Sequence, residues 1–172
     1  MDYYGLALFP VPGATGTVFS FGTRLWHYDR DCPKTCGPQT TDVLLSVSRD
    51  AGKHFEPLGS RQSFFRPGRD GTPSSRRVEA ASLPQQVGDE LLVFVTGRNL
   101  NEEGPEHAWT TRYDDTSAAG PQGVVSVARF GQDRLASVGT AGYGTTGELT
   151  TKPFVFGGDQ LLMNVDTAGR GW

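Results

Sequence analysis

Residues 48–55 read SRDAGKHF, the pattern S-x-D-x-G-x-x-F, and follow directly on the apolar run DVLLSVS. The pattern is moderately specific, and its residues have a physical logic at the end of a strand. An Asp just past a strand end can accept hydrogen bonds from the backbone N–H groups of a turn, as in an Asx-turn. Gly52 supplies a backbone conformation that other residues resist. Phe55 then opens the next strand and lays its ring beneath the turn. The stretch specifies a hairpin in which Ser48, Asp50, Gly52 and Phe55 are structural residues, with Asp50 forming the turn rather than performing chemistry.

The rest of the chain agrees with a fold built from hairpins. Runs rich in Val, Phe, Leu and Thr, bounded by Gly, Pro, Asp or Asn, predict strands over 3–9, 16–28, 42–48, 76–82, 90–96, 123–130, 134–138, 149–156 and 160–165. No segment carries the 3.6-residue period of an amphipathic helix. The 23 Gly and 11 Pro among 172 residues suit short strands joined by turns, so the chain is expected to be all-β. Residues 29–41 and 97–121 are polar and predict long loops.

A net charge of −3 gives no electrostatic case for nucleic acid, and no apolar run reaches the length of a membrane span. Neither nucleic acid nor membrane is therefore an expected partner. The start, MDYYGLALFPVPG, lacks the features of a signal peptide and leaves the compartment open. Cys32 and Cys36, in DRDCPKTCGP, can form a local disulfide or stand as two thiols. With His27 they fall one ligand short of a closed zinc site, and no metal or cofactor is expected.

The S-x-D-x-G-x-x-F stretch resembles the Asp box of sialidases and other β-propellers. TTDVLLSVSRDAGKHFEPLG followed by VGDELLVFVTGRN is similar to one blade of the five-bladed glycoside hydrolases of families 32 and 43 and their unclassified relatives. GELTTKPFVFGGDQLLMNVDT resembles the passage where those relatives leave the propeller for a C-terminal β-sandwich. The resemblance implies an incomplete set of propeller blades over 1–147 and the first strands of a sandwich over 148–172. A blade takes about 40–50 residues, so a closed five-bladed ring exceeds 200, and the chain is expected to be a fragment or truncated product. Unpaired edges of that size invite self-association.

The same resemblance implies chemistry. Glycoside hydrolysis uses two carboxylates across the scissile bond. Glu79, in RRVEAASLPQQVGDELLVF, matches the Glu that serves these hydrolases as general acid, and pairing with Arg76 or Arg77 on the surface is its alternative role. Asp42, opening DVLLSVS, is the candidate second carboxylate or a residue that bonds the turn at the strand's start. The relatives carry Trp-Asp shortly before the strand of the acid, where this chain has Ser74-Ser75, a departure that puts catalysis in doubt. Trp109, Arg77 and Arg98 are the candidates for substrate contact, because sugars offer C–H faces to aromatic rings and hydroxyls to polar groups. The implied function is hydrolysis of glycosidic bonds in the complete protein, with carbohydrate as partner. The alternatives are a non-catalytic carbohydrate-binding or interaction propeller, and an inactive remnant.

Overall fold

The computed structural model describes residues 1–27, 39–69, 72–81, 83–99, 123–140, 142 and 144–166. Two compact units follow one another, Met1–Ser137 and Val138–Trp172. The described residues of the first form nine strands: β1 Asp2–Pro10, β2 Val18–His27, β3 Gln39–Ser48, β4 Glu56–Pro57, β5 Ser63–Phe65, β6 Arg77–Ala80, β7 Gln85–Val87, β8 Glu90–Arg98 and β9 Gly123–Gly131. All strand pairings are antiparallel, and no α-helix occurs among the described residues. The all-β expectation is met.

The first sheet runs in chain order, β1-β2-β3-β4, with β5 also bonded to β3. In the second, β9 lines β8 along its whole length, so β6 and β7, both also bonded to β8, share its other edge. Phe21 lies opposite both Ala7 and Leu45, and Phe19 opposite both Phe9 and Val47. Alternation therefore sends Phe9, Phe21, Val43 and Leu45 to one face, where they meet Val78 and Val93 of the second sheet. Rings carry this core from sheet to sheet. Phe21 stands 5.1 Å from Phe9 and 5.6 Å from Phe64, and Phe64 stacks on Phe130 of β9 at 5.4 Å.

A second link is polar. Thr41 Oγ1 accepts a hydrogen bond from Val78 N at 2.9 Å and donates one to Val78 O at 3.1 Å. Thr41 N donates to Arg76 O at 3.1 Å. The start of β3 thus caps the free edge of β6, which would otherwise present unpaired backbone groups.

The expected strands over 3–9, 16–28, 42–48, 76–82, 90–96 and 123–130 correspond to β1, β2, β3, β6, β8 and β9. Those expected over 134–138, 149–156 and 160–165 form no strand. In the second unit Leu149, Phe154, Val155, Leu162 and Met163 remain exposed. Their composition suits a pleated surface, but a strand forms only where a neighbour completes the ladder. β4, β5 and β7 are two or three residues long, too short to leave a compositional signal.

Candidate functional site

Asp42 sits in the middle of the first sheet, directly opposite Arg24. The pair is bidentate: Arg24 Nε donates to Asp42 Oδ1 at 2.7 Å and Nη2 to Oδ2 at 2.7 Å. Both side chains are buried. Ser63 Oγ donates to Asp42 Oδ2, and Arg24 Nη1 donates to Arg61 O at 2.9 Å. The guanidinium carbon lies 5.2 Å from the centre of the Trp26 ring. Burial pushes the Asp42 carboxyl up, but hydrogen bonds from Arg24, Ser63 and Trp26 together with the Arg24 charge outweigh it, and the net shift is downward.

An unusual turn delivers two of these partners. Gly59, Ser60 and Arg61 have φ of 61°, 55° and 64°, three successive left-handed residues of which two carry side chains. Each side-chain-bearing residue in that region costs about 1–2 kcal/mol. The turn brings the Arg61 carbonyl and Ser63 to the buried ion pair, which satisfies the remaining hydrogen-bonding groups of a charged pair out of water.

Glu79 occupies a different place. It lines an open cavity of about 270 Å³ with Tyr4, Gly5, Leu6 and Ala7 of β1, Thr23 of β2 and Ala80. The register of β1 on β2 slips between Tyr3 and Gly5, a bulge that makes Tyr4 the extra residue. Arg77, buried, places Nη2 3.8 Å from Glu79 Oε1, and its guanidinium carbon lies 5.9 Å from the centre of the Tyr4 ring. The Glu79 side chain is 43% exposed. An aromatic ring, a carboxylate and a hydroxyl thus meet at one concavity, with Arg77 buried behind the carboxylate. Asp42 does not line it.

Arg98 lies opposite Arg77 in the register of β8 on β6, but its side chain is exposed and it does not line the cavity. Ser75 is buried and its N–H bonds Thr72 O at 3.1 Å, so Ser74-Ser75 closes a tight turn rather than presenting an acid. Trp109, Cys32 and Cys36 lie outside the described residues.

The turn after β3 has the expected geometry. Ser48 Oγ donates to Asp50 Oδ1 at 2.8 Å and accepts from Gly52 N at 2.8 Å. His54 N donates to Asp50 Oδ1 at 2.9 Å. Gly52 has φ of 87°, and the Phe55 ring passes beneath it, about 4.0 Å from where a Cβ would stand. His54 places Nδ1 2.6 Å from Asp50 Oδ2. That contact, then the His54 N–H and the Ser48 hydroxyl, hold the Asp50 carboxyl well below the usual range. All of this sits at the Val18 end of β2, away from the Glu79 cavity.

Arg24 escapes a reading of the sequence. A lone charge inside GTRLWHY signals a buried partner, but which acid it meets depends on the register of β2 on β3. In comparison with known proteins, the chain matches no protein-family model, no curated protein and no solved structure.

Proposed function

We propose that this chain is part of a β-propeller of the Asp-box, glycosidase-like kind, and that it binds carbohydrate without cleaving it. The four-stranded meander β1–β4, with the box between its third and fourth strands, supports a blade, and β6–β9 supports part of the next. The observation that carries the functional half is the capture of Asp42, the candidate second carboxylate, which leaves Glu79 the one acid among the residues lining its cavity. Asp42 is held bidentate by Arg24 inside the sheet, and Glu79 faces Arg77 across 3.8 Å.

A carboxylate in the grip of a buried guanidinium is a poor base or nucleophile, because proton or carbon transfer must first break charge-assisted bonds. The same groups suit recognition. A sugar laid on Tyr4 would offer its hydroxyls to Glu79 and Thr23, with Arg77 fixing the carboxylate. The test is a glycan-binding screen on the whole chain, followed by titration of a bound oligosaccharide. Tyr4→Ala is expected to weaken binding at least about tenfold, near 1.4 kcal/mol. Equal binding by wild type and Tyr4→Ala would place the sugar elsewhere. Release of reducing sugar that vanishes in Glu79→Gln would restore the hydrolase.

A further inference from the structure

An ionised carboxylate can only accept hydrogen bonds, so whatever faces it must donate them. Glu79 has two oxygens to fill. Arg77 Nη2 stands 3.8 Å from Oε1, beyond hydrogen-bond distance, and among the described residues no other group donates to either oxygen. The acid thus lies near a cation without being bonded by it. It lines the cavity beside the Tyr4 ring and the Thr23 hydroxyl, and every other lining residue there is uncharged. Arg77 is 6% exposed and does not line the cavity, so a ligand that enters meets the acid and not the base.

We propose that Glu79 selects the sugar by charge: the cavity takes a neutral sugar through adjacent hydroxyls and rejects sugars that carry a carboxylate or sulfate. This rests on the reading of the Tyr4–Glu79 cavity as the carbohydrate site. Two neighbouring ring hydroxyls can each donate to one Glu79 oxygen while a C–H face of the sugar lies on Tyr4. An acidic sugar of the same shape brings a group that cannot donate. It finds no cation in the lining, and it must shed water beside a like charge. Specificity then comes from repelling the wrong ligand as much as from holding the right one. Arg77 helps to keep Glu79 ionised and offers the acidic sugar nothing in return.

The experiment is calorimetric titration of the whole chain with two oligosaccharides of one linkage. One is a neutral hit from the glycan-binding screen, and the other is the same sugar oxidised at C6 to the uronate. Wild type is expected to bind the neutral sugar at least about tenfold more tightly. Glu79→Gln keeps the size and removes the charge, and the ratio is expected to fall to about one or below. Glu90→Gln, an acid bonded to Arg129 and outside the cavity, should leave the ratio as it is in wild type. Should Glu79→Gln fail to fold, the wild-type ratio decides, since charge repulsion must weaken between about 0.05 and 0.5 M salt. Equal binding of the two sugars, tighter binding of the uronate, or a ratio that neither Glu79→Gln nor salt alters overturns the selection and leaves the sugar site standing. Binding of no sugar at all removes the site and the selection together.

Discussion

Arg24 and Asp42 face one another across adjacent strands and share two hydrogen bonds of 2.7 Å inside a sheet buried on both sides. Removing one member leaves the other charged and buried. Arg24→Met is expected to destabilise the fold by about 3–5 kcal/mol. The double variant Arg24→Met/Asp42→Leu should recover most of that loss, since an apolar pair needs no counter-charge. Urea unfolding of the three proteins measures the difference.

The same carboxylate sets an acid limit. Its pKa is lower in the folded chain than the ordinary 3.8, so its contribution is full above that value and fades as pH falls below it through the folded value. The decline in stability as pH falls below about 3.8 should be shallower in Asp42→Asn than in wild type. Chemical unfolding at stepped pH reads the slope, and parallel slopes would remove Asp42 as a cause.

The strained turn offers a gain. Ser60 holds φ of 55° between two other left-handed residues. Glycine reaches that region freely, so Ser60→Gly is expected to stabilise by up to about 1 kcal/mol, after its greater freedom in the unfolded chain is subtracted. A rise in Tm, with the Arg24–Asp42 geometry unchanged in a crystal structure, would be the matching result.

Gly97 has the opposite character. A Cβ there would overlap the Ser74 Cβ and approach Val124 to 3.2 Å. Gly97→Val must push Ser74 off β8 and is expected to destabilise by about 1–3 kcal/mol, as overpacking does. Its unfolding midpoint, set beside that of Gly88→Ala, separates contact from backbone strain, for Gly88 has open space around it at φ of 59°.

What could be read from the sequence follows the range of the forces involved. The hairpin at Ser48–Phe55 is set by neighbours within eight residues, so the acceptance of a turn N–H by Asp50 and the positive φ of Gly52 are legible, while the bonds of the Ser48 hydroxyl are not. The long strands were legible because Val, Phe and Leu cluster between turn formers. Asp42 reads as a strand-opening acid, but β3 begins at Gln39 and holds it inside the strand opposite Arg24, a pairing that depends on register and not on local sequence. Glu79 stood out by pattern, whereas Tyr4 did not, because the bulge that frees it is a property of the paired strands. The apolar runs after residue 133 misled for the converse reason: strand-like composition cannot supply a missing neighbour.

Binding and turnover can be followed in one sample. The whole chain is incubated with a mixture of oligosaccharides, and bound sugar and newly released reducing ends are counted together. The account predicts bound sugar that falls in Tyr4→Ala, with no reducing ends above the protein-free control. Reducing ends that accumulate with wild type and disappear in Glu79→Gln would contradict it.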